Sequence, residues 1–439
     1  MTFTETETDH SPMTNPDGVL AVHETDYGHS VSWVQLADGK ILMLCKGSEF
    51  HTSGDGGITW SDGWRGQCEE GCELEDARAL VRLDGDGVGL VADYHPEDSI
   101  NYYDKQLVFR RSYDGGKTWS KGSAINPRGP TSFIWQDMFL RTSSGRIILP
   151  VYLAIGQGRF VKEGAGVVGG YVNGNFVSTD AHFTDPHFGA SYVWYSDDDG
   201  ETWKRNRDGE LFIIVRPGGP FEPTFEPSVA EVEPGKLFML MRANLGRYFQ
   251  AWSYDDGETW TRPQPTQLAG THAPAQVRTL PNGHLLCVLT QQGQEEIKRG
   301  FIRTRLSSAI SRTGGKLWEF FQNVQSIHPE PYVPPGPIDN IHPEGVFSLT
   351  ESGGFEGDAR YMTSLPVGYG RFSYPSVLVL EDRVLISHTY TWHDEMGRRT
   401  GVAEGKNSRI KVLPLSWFYG GREPYDNPDL ARLEESASP

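Results

Sequence analysis

Ionisable and phenolic side chains gather where short apolar runs begin or end in this chain: His29, Lys46, Asp76, Asp93, His95, Asp137, Glu226, Arg242, Arg247, His272, Arg303, Tyr374, His388 and Tyr390. Their types bound the chemistry they can do. An arginine carries a planar fork that bonds a carboxylate through two parallel hydrogen bonds. Carboxylates and imidazoles can move protons, and His29, His95, His272 and His388 could each act as a base or a metal ligand. A phenol such as Tyr374 needs a neighbouring base before it can attack, because alone it ionises at about pH 10. Any one of these residues could equally sit on a solvated rim. Whether they act together depends on the elements that bring them to one place.

Those elements read as hairpins. SVSWVQLADGKILMLC begins at Ser30, ARALVRLDGDGVGLVADY at Ala77 and IWQDMFLRTSSGRIILPVYLA at Ile134. PSVAEVEPGKLFMLMRANLG begins at Pro227, AQVRTLPNGHLLCVLTQQ at Ala275 and YPSVLVLEDRVLISHTYTW at Tyr374. Each holds two β-rich runs joined by a short turn with Gly or Asp. No stretch reads as a long amphipathic helix.

A second repeat punctuates the first. SGDGGITW from Ser53, SYDGGKTW from Ser112, SDDDGETW from Ser196 and SYDDGETW from Ser253 share the pattern Ser-x-Asp-x-Gly-x-Thr-Trp. SRTGGKLW from Ser311 keeps the Ser, Gly and Trp without the Asp and Thr. The Asp accepts hydrogen bonds from its own turn, and the Gly supplies positive φ. The Trp packs beneath the turn. Despite its acids, the motif predicts a hairpin staple rather than a catalytic group.

Composition agrees with a turn-rich all-β protein. The chain has 439 residues with 51 Gly, 28 Pro, 12 Trp and 18 Tyr, and repeats allow this length without several separate cores. A formal net charge of -18 argues against nonspecific nucleic-acid binding, which needs a basic face. Four cysteines are too few for a disulfide scaffold. The polar, acidic N-terminus lacks the features of a signal peptide, and no stretch is long and apolar enough to span a membrane. The expected location is cytoplasmic, with no nucleic-acid or membrane partner and no cofactor or metal.

The repeated motif resembles the Asp box, or BNR repeat, of the sialidase (neuraminidase) superfamily, and the resemblance runs from about Gly18 to Tyr419. It implies an all-β, six-bladed β-propeller of the sialidase type, with its site where the inner strands open at one mouth. RIKVLPLSW from Arg409 would be the third strand of the last blade, and GVLAVHET from Gly18 its outer strand, closing the ring. The expected limits are a propeller over residues 18–424, flanked by disordered segments at 1–17 and 425–439.

The resemblance also implies roles. Tyr374, which opens YPSVLVL, matches the family's tyrosine nucleophile, and Glu226 matches the glutamate that activates it. Arg242 and Arg303 match two of the three arginines that hold the substrate carboxylate. Arg247, His29, Lys46, His272 and His388 are further candidate substrate contacts. The family's first arginine is missing, since its position reads His29-Ser30-Val31. For the general acid the sequence offers Glu49 or Asp137. The implied activity is hydrolysis of a glycan at an acidic sugar, sialic acid or a relative. Two alternatives share the fold: a polysaccharide lyase with His95 as base and Tyr374 as proton donor, and a propeller that binds glycans without cleaving them.

Overall fold

The computed structural model describes residues 15–69, 71, 73–98, 105–128, 132–135, 137–155, 161–163, 167–172, 175–178, 188–214, 221–243, 245–270, 273–293, 296, 303–338, 347–349, 355–357, 369–393, 399–401, 405–422 and 424. The disorder expected for 1–17 and 425–439 lies outside these residues, apart from 15–17.

Six antiparallel sheets of the expected kind are present. Blade 1 runs Ser32–Gln35, Ile41–Cys45, Glu49–Ser53 and Trp64–Arg65. Blade 2 runs Ala77–Arg82, Val88–Tyr94, Gln106–Ser112 and Ser123–Ala124. Blade 3 runs Leu140–Arg141, Ile147–Ile155, Phe188–Ser196 and Lys204–Arg205, and a separate small sheet over Val161–Glu163, Val167–Val172 and Asn175–Ser178 is inserted between its second and third strands. Blade 4 runs Phe225–Glu233, Lys236–Arg242, Arg247–Ser253 and Gln264–Ala269. Blade 5 runs Gln276–Thr279, Leu285–Thr290, Arg305–Ser311 and Glu319–Ser326. Blade 6 runs Tyr369–Val379, Arg383–His393 and Ser408–Pro414, and takes its outer strand, Ala21–Thr25, from the start of the chain. The inner strand of each blade packs on that of the next, and blade 6 packs back on blade 1. The structure is the six-bladed propeller that the repeats predict.

The core is divided among the seams between blades. Each of six apolar clusters joins two neighbours. In one, Leu42, Leu44 and Phe50 of blade 1 meet Leu80 and Leu90 of blade 2. The middle strands are therefore covered on both faces, which is why they read as unbroken apolar runs. Ile41–Cys45 and Leu285–Thr290 are buried at every position. Burial of each large side chain in such a seam contributes about 1.5–3 kcal/mol.

The Asp boxes fasten the far ends of the blades. In blade 2, Ser112 Oγ donates to Asp114 Oδ1 at 2.8 Å, and the Thr118 N–H and hydroxyl reach the two Asp114 oxygens at 2.9 and 2.7 Å. Blades 1, 3 and 4 repeat the pattern at Asp55, Asp198 and Asp255. In blade 5 Thr313 stands in for the aspartate, its hydroxyl accepting the Leu317 N–H at 2.9 Å. The last Gly of each box docks on the preceding blade. Gly315 has φ +90, and a Cβ there would collide with the Phe238 ring of blade 4.

Candidate active site at the propeller mouth

Two tiers of residues surround the axis. The lower tier holds Ser32, Asp137, Gln276 and Ser376, from blades 1, 3, 5 and 6. Ser32 Oγ donates to Asp137 Oδ1 at 2.7 Å, and Ser376 Oγ to Oδ2 at 3.3 Å. Arg278 of blade 5 bonds Asp137 Oδ2 at 2.9 Å and its carbonyl at 2.6 Å. Gln276 also donates to that carbonyl. Burial pushes the Asp137 carboxyl above the usual carboxylate range, against the pull of Arg278, Ser32 and Ser376. Asp137 is thus a hub that ties three other blades together across the axis. Both of its oxygens are engaged by these partners.

The upper tier lies two residues earlier in the chain. Glu226 precedes Ser228, Trp135 precedes Asp137 and Tyr374 precedes Ser376. Glu226 has φ +45 and Tyr374 has φ +56, and both fall at register shifts, between Phe225 and Ser228 and between Ser373 and Ser376. The extra residue turns the strand so that the side chain is re-aimed. The Pro that follows each one is tolerated because the ladder is broken there. Arg303, just ahead of the third strand of blade 5, has φ +62. Its carbonyl accepts the Phe372 N–H at 2.6 Å, which ties it to the strand that carries Tyr374.

Arg303, His29 and Trp135 meet around the Tyr374 ring. The Arg303 guanidinium lies 4.9 Å from its centroid, a cation–π contact. His29 of blade 1 lies 5.2 Å from it and stacks on Trp135 at 4.6 Å with the planes 12° apart. Trp135 itself reaches Tyr374 at 5.4 Å, so a side chain from blade 3 touches blades 6 and 1 over the axis. Glu226 Oε2 accepts from Arg242 Nη1 at 2.7 Å, and both side chains are 2 % exposed. The site can therefore offer a phenol, a carboxylate held by a buried cation, a second guanidinium and an aromatic floor.

His388, Tyr390 and Arg247 have partners other than the Tyr374 ring. His388 is fully buried between blades 5 and 6, edge-on to Phe372 and Tyr390. Burial, with Lys411 and Arg409 nearby, holds its imidazole well below the usual range. It lies in the seam and not at the mouth because alternate residues of a middle strand face the neighbouring blade. Tyr390 shares that seam, stacked on Phe372 at 5.4 Å beneath the Arg409 guanidinium. Arg247 turns outward, bonding the carbonyls of Thr266 and Gly336. Lys46 is exposed on the turn between the second and third strands of blade 1, and His95 is half-buried just after the second strand of blade 2. Asp93 is buried against Arg78 and Lys105, each 2.8 Å from its Oδ2. His272 lies outside the described residues.

Sequence reasoning missed Trp135 and Arg278. Trp135 occupies in IWQD the place that Tyr374 occupies in YPSV, a signal that aligning the hairpin openings would have found. Arg278 has no local signature, since its partner Asp137 is on another blade.

Comparison with known proteins extends this picture. The model of the family described as BNR repeat-like domain matches residues 90–386. A sialidase of Bacteroides fragilis (strain YCH46) is 25% identical over 280 residues, covering 58% of this chain but only 43% of the relative. Among solved structures, the Hadza microbial sialidase Hz136 shares the fold with a TM-score of 0.51 at 16% identity, covering 89% of this chain and 67% of that one. So does a Penicillium chrysogenum alpha-L-arabinanase complexed with arabinobiose, with a TM-score of 0.50 at 13% identity and coverage of 92% and 99%. With the family model matching most of its length and the Asp boxes formed in place, the chain belongs to the BNR repeat-like family, as a propeller of the sialidase superfamily.

Proposed function

We propose that the protein is a glycoside hydrolase that releases an acidic sugar at the propeller mouth, with Tyr374 as its nucleophile. The observation that carries this reading is the setting of Tyr374: a strained backbone, a ring 8 % exposed, a guanidinium over one side and an aromatic floor beside it. Strained non-glycine backbone costs about 1–3 kcal/mol and persists where function requires it.

Glu226 is the base. Arg242 occupies its Oε2, so Oε1 takes the phenolic proton as Tyr374 Oη attacks the anomeric carbon. A neutral phenol approaches an anionic sugar without charge repulsion, the recognised exception to a pair of carboxylates. Arg303 receives the sugar's acidic group, and Arg242 holds Glu226 in place. The similarity to a sialidase supports this class of substrate. Aryl glycosides of sialic, glucuronic and galacturonic acids, with an arabinoside as neutral control, test the reading. Release from one or more acidic members is expected. Release from the arabinoside alone, or an ultraviolet-absorbing unsaturated uronate in place of a hydrated sugar, would contradict it.

A further inference from the structure

Two arginines stand two residues apart at the head of the third strand of blade 5, in different settings. The Arg303 guanidinium lies 4.9 Å from the centroid of the Tyr374 ring. Arg305 is 1 % exposed. Its fork is taken by Glu296, with Nη2 2.7 Å from Oε1 and Nη1 3.0 Å from Oε2. Glu296 lies in the connection between the second and third strands of the blade. We infer that Glu296 is a positioning residue: by clamping Arg305 it fixes the strained backbone from which Arg303 reaches the acidic group of the substrate. This rests on the role proposed above for Arg303.

The clamp closes a circuit of hydrogen bonds around Arg303. The Arg303 N–H donates to Gln292 Oε1 at 3.0 Å, and Gln292 Nε2 donates to Thr304 Oγ1 at 3.5 Å. The N–H that follows Gln292, that of Gly293, donates to Glu296 Oε2 at 2.8 Å. Arg305 Nε donates to the Glu330 carbonyl at 2.8 Å, which ties in the segment after blade 5. His328 Nε2 lies 3.0 Å from Thr304 Oγ1 and 3.6 Å from Glu296 Oε1. Gln292, Thr304 and Arg305 are all buried.

Arg303 has φ +62, a conformation that persists in a non-glycine residue only where its surroundings over-determine it. The circuit supplies those surroundings. Gln292 holds the Arg303 N–H, the Phe372 N–H holds its carbonyl at 2.6 Å, and Thr304 anchors the next residue against His328. Among the described residues, Glu296 is the carboxylate that pairs with Arg305. Against the push of burial, Arg305 and His328 hold the Glu296 carboxyl below the usual range, so it stays charged. Removing it strands a buried guanidinium. Arg305 must then leave its place, and the backbone of Arg303 relaxes with it.

The test is a double-mutant cycle, read in KM and kcat on an aryl glycoside of the acidic sugar that the wild type cleaves. Glu296→Ala is expected to raise KM about tenfold and to leave kcat within about twofold of the wild type. In an Arg303→Ala background the same substitution should change KM by no more than about twofold, because the residue it acts through is gone. Glu296→Leu combined with Arg305→Met removes both partners and strands no charge. It should raise KM as Glu296→Ala does, and its melting curve shows whether the blade survives. A KM loss of the same size with and without Arg303, an equal fall in kcat, or an unchanged KM in either Glu296 variant would overturn the inference while leaving the hydrolase reading intact. So would failure of both Glu296 variants to fold, since the pair would then support the blade as a whole. A wild type that cleaves no acidic glycoside would overturn both.

Discussion

The two ends of each blade solve the same local problem in opposite ways. At the box end, the aspartate that defines each tight turn has both oxygens answered nearby: Asp114 takes bonds from Ser112, Lys117 and Thr118. Where positive φ is needed there, glycine mostly supplies it, as at Gly116 and Gly257; Asp199 and Asp256, short side chains that tolerate this region, are the exceptions. At the mouth end, positive φ falls on Asp76, Glu226, Arg303 and Tyr374, and the Arg303 guanidinium lies over the Tyr374 ring. An acid satisfied by its own turn is a fastener. An acid or phenol held in a costly conformation at the mouth is, on the function proposed here, a reagent.

If that contrast holds, mouth variants lose turnover and box variants lose stability. The largest effect is expected from Glu226→Gln, which keeps an acceptor for Arg242 but cannot take a proton. Its kcat should fall by about 10²–10⁴. Arg303→Lys keeps the charge and loses the fork, and should weaken an acidic substrate by about tenfold, seen in KM more than in kcat. Asp114→Ala and Asp255→Ala should each cost about 1–3 kcal/mol in denaturant unfolding and leave the kcat of the folded protein unchanged. Lost activity at full stability in either box variant would break the comparison.

A gentler effect concerns acid. Hydrogen bonds from the side chain and backbone of Thr59 hold the Asp55 carboxyl at about 2. A carboxyl depressed in the folded state stabilises it above its unfolded value, about 3.9. That contribution is lost as pH falls toward 2. The melting temperature should drop through this window, and less steeply in Asp55→Asn.

Much of this was legible in the sequence because it is local. A strand pair and its turn are specified within about twenty residues, so the hairpins and boxes could be read directly. Glu226 and Tyr374 could be singled out because each stands at the head of an apolar run in a repeated hairpin, although the strand that holds Tyr374 begins earlier, at Tyr369. What depends on the ring could not be read. The hub at Asp137 joins residues such as Ser32 and Ser376, distant in sequence. The outward turn of Arg247 and the burial of His388 follow from which face of a strand meets the neighbouring blade. A single-strand pattern does not specify that. Thr313 replaced an aspartate in the fifth box and kept the turn, because a hydroxyl can accept the same backbone N–H.

The claim at the centre is that the Tyr374 hydroxyl does the chemistry. Tyr374→Phe removes that oxygen and keeps the ring that packs against His29, Trp135 and Arg303. Turnover of the cleaved acidic glycoside and the melting curve, measured together on this variant and the wild type, test the claim most directly. A loss of about a hundredfold or more in kcat with an unchanged melting temperature is the predicted result. Full activity in the variant would contradict it and move the site away from the axis.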